Sequence, residues 1–421
     1  VEQVSRKVVY RMYPSPSQEK ELLDMLGLHQ RLYNTALEQR IVAWHVARKG
    51  VGFAEQCRDL TELRAAFPEY ENLPCHSSQV TLKRLDLAFQ AFFRRIKAGE
   101  DEPGFPRFKS FDRFSGWGYS SHGDGFKFKS GDGLGRSTVR LSGIGQIKLR
   151  GRARTAGEVK TCEIQRKAGR WYASFSIACA PKRDGGTVAV GHDWGVETFA
   201  TIAHGDGSFE AVENPRFFAK HKASVERAQR HLDSVTIKDS IGRPRNGKDP
   251  KRIAAKIALG RAKGREANAR KDFLHQTSAK ITGQIAVFAT EKLQVSNMTR
   301  SAKGTVEKPG KNVPQKAGLN REILATAPAT FLKMMRYKAE EAGSLFIETP
   351  TKTLKPSQRC SDCGRLPKVK KTLAQRQHVC ECGCVLTRDQ NGARNNLVWA
   401  LNHLGWEPAG NAIPYFSNWV A

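Results

Sequence analysis

The period of apolar positions changes several times along the chain, and each change predicts a new element. VSRKVVYRMY reads as a strand that ends at Pro14. The following SPSQEKELLDMLGLHQRLYNTALEQRIVAWHVARKG places Leu22, Leu23, Leu26, Leu32, Leu37 and Ile41 at helical spacing, with Ser17 as the expected cap. Helical spacing returns in SSQVTLKRLDLAFQAFFRRIKAG through Val80, Leu82, Leu85, Leu87, Phe89 and Phe92, so residues 14–104 form a predicted helical module. Beyond PGFPRFKSFDRFSGWGYSS, where proline, glycine, aromatic and basic residues interleave, the period falls to two. Trp171, Ala173, Phe175, Ile177 and Cys179 alternate with polar or small neighbours, and FKFK, TVRLS, QIKLRG and VKTCEIQR are similar short strands. Residues 105–184 are therefore expected to be a β-barrel or sandwich, completed by the opening strand over residues 1–13.

A different alternation begins at residue 185. GTVAVGHDWGVETFATIAHGDGSFEAV reads as an antiparallel meander with a GDG turn after its second strand. Helical RKDFLHQTSAKITGQ then feeds the strand IAVFATEKL, and FLKMMRYKAEEAG feeds SLFIETP. Strands alternating with helices over residues 185–350 predict an α/β unit. No internal repeat is evident.

Charge narrows the class of partner. Lysine and arginine number 70 against 41 aspartate and glutamate, a formal net charge of +29 spread over most of the chain. Between Arg243 and Lys271 there are eleven basic residues against only Asp249 and Glu266, where a solvated helix hairpin competes with a phosphate-facing surface. A polyanion, and nucleic acid before a membrane surface, is the expected partner. No apolar run reaches about 18 residues, so a soluble, cytoplasmic, nucleoid-associated protein is expected.

Two sets of residues carry candidate chemistry. Five of the nine cysteines fall between residues 360 and 384. Cys360-Ser-Asp-Cys363 is a metal knuckle, and after a sixteen-residue gap Cys380-Glu-Cys382-Gly-Cys384 supplies irregular C-x-C spacings. Four zinc ligands are available and which four is open. The second set is acidic: Asp193 and Glu291 each end an apolar strand, and Asp389 opens the helical DQNGARNNLVWALNHL. Singly they have ordinary readings as a turn, an ion pair and a helix cap. Together, in one basic α/β unit, they predict a divalent site, Mg²⁺ with Mn²⁺ as an alternative, in which two ions flank a phosphodiester.

In order and spacing, YRMYPSPSQ with LYNTALEQR, GFPRFKS, GHDWGVETFA, ATEKL, PSQRCSDCG and the closing CG-x5-D with RDQNGARNN resemble the TnpB proteins. These are transposon-encoded RNA-guided DNA endonucleases related to the miniature type V CRISPR effectors. The resemblance, which spans nearly the whole chain, implies an α+β multidomain protein. A β-barrel wedge domain (1–13 and 105–184) would hold an inserted helical recognition domain (14–104). An RNase H-like RuvC nuclease domain (185–356 and 385–421) would follow, interrupted by a zinc-binding insertion (357–384). It further implies that Asp193, Glu291 and Asp389 are catalytic and hold two Mg²⁺ ions. Cys360 and Cys363 match the first zinc knuckle. Val379 stands where a cysteine is usual, so Cys380 is expected to substitute beside Cys382, with Cys384 or His378 as alternatives. His192 and Trp194 flank Asp193 where small apolar residues are commoner, and Gly392 stands where alanine is usual.

The activity implied is guide-RNA-directed hydrolysis of double-stranded target DNA, with Arg107 and Lys109 as candidate nucleic-acid contacts among Phe105, Phe108 and Trp117. A miniature CRISPR effector, a guided DNA-binding regulator without cleavage, and a zinc-ribbon DNA-binding protein without a guide are the rival readings. The guide's origin, the adjacent DNA motif, the cut pattern and the choice between monomer and dimer are not legible.

Overall fold

The computed structural model describes residues 3–131, 137–150, 157–305, 307–372 and 374–405. The end of the predicted 385–421 segment, residues 406–421, lies outside the described residues. The chain divides into two compact units, Val1–Pro181 and Lys182–Ala421.

The first unit runs β1 (Val4–Tyr13), α1 (Pro16–Ala47), α2 (Phe53–Ala66), α3 (Cys75–Lys97), β2 (Gly116–Tyr119), β3 (Phe126–Lys129), β4 (Thr138–Leu141), β5 (Gly145–Arg150), β6 (Glu158–Lys167) and β7 (Arg170–Cys179). The strands form one antiparallel sheet in the order β2-β6-β7-β1-β5-β4-β3. The opening strand is thus central: it pairs with β7 from Val4↔Cys179 to Arg11↔Tyr172, and with β5 through Arg11↔Arg150. Its alternation is the reason, since Tyr10 and Met12 are buried while Val9 is exposed. Leu22, Leu26 and Leu37 of α1 and Leu82 and Leu85 of α3 share one core with Trp117, Phe126 and Phe175.

Helix α1 is capped two residues earlier than the sequence suggested, by Ser15. Ser15 accepts from the Gln18 N–H at 3.3 Å, while the Gln18 side chain accepts from the Ser15 N–H at 3.1 Å. Pro16 decides this, because it favours an extended residue before it and a helix start at itself. Ser17 falls in the first turn instead, its hydroxyl 2.9 Å from that of Ser15.

The second unit contains β8 (Val188–Trp194), β9 (Thr198–His204), β10 (Phe209–Glu213), α4 (Phe217–Ser234), α5 (Pro250–Thr282), β11 (Ile285–Glu291), α6 (Val295–Met298), α7 (Val313–Thr326) and α8 (Pro328–Ala342). It continues through β12 (Leu345–Thr349), α9 (Thr351–Leu354), β13 (Gln377–Val379), β14 (Val385–Thr387) and α10 (Arg388–Leu404). Its main sheet has the order β10-β9-β8-β11-β12. The expected meander is β8-β9-β10, and β11 and β12 add parallel strands.

One face of this sheet packs Val190, Phe199, Ile202 and Phe288 against Leu274 and Ile281 of α5 and Phe331 and Met335 of α8. The other packs Ala189, Ala203 and Val287 against Ala393, Leu397 and Leu401 of α10. The basic region and the helix after it are one 33-residue helix, α5, started by Asp249, whose carboxylate accepts from the Lys251 N–H at 2.9 Å. Its neighbour α4 buries no residue.

A buried histidine in the first unit yields a test. His29 is fully buried, with Nδ1 2.8 Å from the Thr81 hydroxyl and its ring stacked on Trp117. Burial, and then the Arg84 charge, push its pKa down from 6.5 to about 3. A depressed histidine holds its proton only in the unfolded chain between those values, so stability falls as pH drops below 6.5, by about 1.4 kcal/mol per pH unit. His29→Gln keeps a hydrogen-bonding side chain and removes that titration. An acid titration followed by circular dichroism is expected to show a shallower loss of stability below pH 6.5 in the variant.

Candidate metal centre

Strand β8 has two faces with different work. Val190 and His192 point to α5 and α8, and His192 lies between Phe288 and Phe331 with Nδ1 3.0 Å from the Thr290 hydroxyl. Burial lowers its pKa to about 3, so this ring is a neutral core residue and not an acid or a cation. Ala189, Gly191 and Asp193 point to α10. At Gly191 a methyl group would lie 2.0 Å from the Ala393 carbonyl oxygen and 2.7 Å from Leu397 Cβ, so only glycine admits the helix there.

That approach brings three acids to one end of the sheet. Parallel pairing of Thr290 with His192 sets Glu291, the next residue of β11, beside Asp193 on the same face. Thr387 caps α10 by accepting from the Gln390 N–H at 3.2 Å, and Gln390 returns the bond to the Thr387 N–H at 3.0 Å. Asp389 is therefore a first-turn residue, where the helix dipole favours a carboxylate, and not the cap. Its Oδ2 lies 3.9 Å from the position a methyl on Gly195 would take, and a methyl on Gly392 would stand 3.1–3.2 Å from the Asp193 carboxyl atoms. Glycine at 392, where relatives are expected to carry alanine, gives that carboxylate more room.

The side chain of Asn396 ties the arrangement together. It donates to the His192 carbonyl at 2.9 Å and accepts from the Thr349 hydroxyl at 2.7 Å, linking α10 to β8 and β12 one residue from Asp193.

Charge on Asp193 is disfavoured. Burial first, then the Glu291 and Asp389 carboxylates, hold Asp193 well above the ordinary carboxylate range, with Arg388 opposing weakly; burial also raises Glu291. Half-buried carboxylates with raised pKa values suit a hard divalent cation, which removes their repulsion. They are not drawn into one knot: among the described residues, the donor groups lying within 4.8 Å of one another are those of the cysteine cluster.

In the cluster, Cys360, Cys363, Cys380 and Cys382 form one such group, with Sγ separations of 3.6 Å for Cys360–Cys382 and Cys363–Cys380. Tetrahedral zinc with Zn–S bonds of about 2.3 Å demands sulfur separations of about 3.8 Å, so these thiols fit. The chain turns onto the site through the Gly364 N–H bond to the Cys360 carbonyl and the Gly383 N–H bond to that of Cys380, each 3.0 Å, both glycines taking positive φ. Cys360, His378 and Cys384 form a second group. The Lys371 ammonium lies against His378 Nδ1, while His378 Nε2 is buried without a partner. Cys360 and Cys384 are buried, whereas Cys382 is exposed.

The candidate nucleic-acid residues belong to the first unit. Arg107 is exposed, and Lys109 is half-buried with its backbone N–H and C=O bound to the Asn34 side chain at 2.9 Å each. Phe108 is exposed, whereas Trp117 is a core residue.

A mixed α/β protein with an acidic end to its sheet and a cysteine ribbon is the class this geometry defines. A family described as a probable transposase, OrfB of the IS605 type, matches residues 162–302; a Cas12f1-like TNB domain matches 329–396. A helix-turn-helix domain matches 4–49, although here that stretch is a strand followed by one unbroken helix. The chain is 30% identical to the Escherichia coli K12 protein named "Putative RNA-guided DNA endonuclease InsQ" over 92% of its length and 90% of the relative's. It is 27% identical to a Streptomyces pristinaespiralis protein of similar name, over 95% and 90%. In a cryo-EM structure of a Cas12f1–sgRNA–target DNA complex, the similar chain gives a TM-score of 0.58 at 13% identity, with 93% and 98% covered, a likeness of fold. The chain belongs to the TnpB family, the OrfB proteins of IS605-type transposons.

The raised Asp193 pKa has a signed consequence. An acid whose folded pKa exceeds its unfolded value of about 3.9 costs stability as pH rises from that value through the folded one. Without divalent ions, Asp193→Asn is expected to raise the melting temperature at pH 7.5 by several degrees. Added Mg²⁺ should stabilise the wild type more than the variant, both read by differential scanning fluorimetry.

Proposed function

We propose that this protein is an RNA-guided, metal-dependent endonuclease that hydrolyses phosphodiester bonds of target DNA. The convergence of Asp193, Glu291 and Asp389 at one end of the β8/β11 sheet, on the face covered by α10, carries the reading. The names of the two relatives and the fold likeness support it. On this reading the second unit is a RuvC-type, RNase H-like nuclease domain. The first unit combines wedge and recognition domains, and residues 357–384 form the zinc-binding insertion, held by Cys360, Cys363, Cys380 and Cys382.

The acids would hold two Mg²⁺ ions, or Mn²⁺ in their place. Ions bound there supply an activated water and stabilisation of the departing 3′ oxygen. The protein's own contribution is placement. Glu291 and Asp193 are fixed by the strand register, Asp389 by the capped first turn of α10, and the Asn396 bridge keeps strand and helix in step. Arg388 places a cation beside Asp193, which favours its ionised form.

Sequence would be read by guide pairing and the heteroduplex by its shape and phosphates. The net charge of +29 and the basic residues of α5, beside an α4 that buries nothing, support a phosphate-facing surface. Arg107 and Lys109 are further candidate contacts. A guide encoded by the transposon end is the reading preferred to one from a CRISPR array.

The test is to express the chain with flanking genomic DNA, sequence the co-purified RNA and assay a matching duplex with Mg²⁺. Guide-dependent cleavage, lost by at least about 10³-fold in Asp193→Ala, Glu291→Gln and Asp389→Asn without loss of target binding, is the expected result. Guided binding without cleavage by the wild type would leave a regulator, and absence of RNA would leave a zinc-ribbon DNA-binding protein. Separately, replacing Lys256, Arg261, Lys263 and Arg265 with glutamine should reduce the slope of log affinity against log salt by up to about one per lost phosphate contact.

A further inference from the structure

Helix α10 carries Asp389 on its first turn and a polar clamp on the next. Asn391 and Asn395, one turn apart on one face, are completely buried. The Asn391 amide donates to the carbonyls of Pro356 at 3.1 Å and Arg359 at 2.8 Å. The Asn395 amide donates to the same two carbonyls at 2.7 and 2.8 Å. Asn391 Oδ1 accepts from the Ser361 N–H at 3.0 Å, and Arg394 pairs with Asp362 at 2.8 Å. These partners are the backbone leading into, and lying within, the Cys360–Cys363 knuckle. Asn395 Oδ1 is buried without a partner, a costly condition, so what this position supplies is its N–H donors.

We propose that Asn391 and Asn395 are positioning residues that couple the cysteine knuckle to the acidic site. With the four thiolates on one ion, the turn from Pro356 to Cys363 is rigid. Its two carbonyls then set the rotation and axial position of α10, and hence where Asp389 stands relative to Asp193 and Glu291. An apolar helix face packed on a sheet resists sliding weakly compared with five directed bonds to a fixed turn. Coupling of this kind is reciprocal: loosening the clamp also loosens the zinc. The inference rests on the nuclease reading above only where Asp389 is taken as a divalent ligand.

Asn391→Asp and Asn395→Asp are near-isosteric and set a carboxylate oxygen against carbonyls that now receive N–H donors. Three quantities are measured on the full chain loaded with zinc and guide RNA: the rate of zinc transfer to a chromophoric chelator, amide hydrogen exchange over residues 388–396, and the Mg²⁺ concentration for half-maximal cleavage. Each variant is expected to release zinc at least tenfold faster, to exchange faster over those amides, and to need several-fold more Mg²⁺ at unchanged guide affinity. Zinc-stripped wild type should show the same rise in Mg²⁺ requirement. Leu274→Ala, in the core on the opposite face of the sheet, controls for general destabilisation and should move none of the three to that extent. Wild-type zinc release in both variants, or an unchanged Mg²⁺ requirement after zinc removal, would overturn the coupling. Should the wild type not cleave at all, the nuclease reading fails, and zinc release with amide exchange alone decides the clamp.

Discussion

Contact between a helix and a strand at a residue without a side chain governs the second unit. With Gly191 under Ala393 and Leu397, α10 lies against β8 closely enough for its first turn to reach over the end of that strand. Any Cβ at 191 would push the helix away from the strand, because what it meets at 2.0 and 2.7 Å includes the backbone of Ala393 and Leu397. The Asn396 bond to the His192 carbonyl and the capping box at Thr387 act only once that contact is made.

Two kinds of electrostatic tension follow. Burial and the neighbouring Glu291 and Asp389 carboxylates disfavour charge on Asp193, and burial disfavours it on Glu291, so folding works against ionisation at this end of the sheet. The thiol cluster is the converse case: its donor atoms lie within 4.8 Å of one another, with two sulfur pairs at 3.6 Å, close to the separations a tetrahedral ion would take.

Much of this was legible from residues alone. Period two in RWYASFSIACA and period 3.6 in the first helix located the sheet and its covering helices, because each has one face in water and one in the core. The acids were legible because charged residues at the ends of apolar strands are hard to explain by solvation. What sequence did not give was pairing across long separations: that the opening strand would be central in its sheet, or that five cysteines and a histidine would divide into two overlapping groups. Ser15 was passed over for Ser17 because the constraint that Pro16 places on its predecessor was not applied. The paired asparagines of α10 carried the family resemblance without a role, although two amides one turn apart on an otherwise apolar helix face are a signal that the helix is gripping backbone. His192, noted in the sequence only as an unusual neighbour of Asp193, is a core residue that faces the other side of the sheet.

The three acids also differ in when they become available. Glu291 follows Asp193 by 98 residues and Asp389 follows it by 196, so the site is built almost wholly from contacts distant in sequence. Chains made of such contacts close late. During synthesis the first unit, complete by Pro181, is free to fold while the last acid has yet to be made. A nascent chain can therefore fold its whole first unit before all three acids of the second exist, an ordering imposed by connectivity alone.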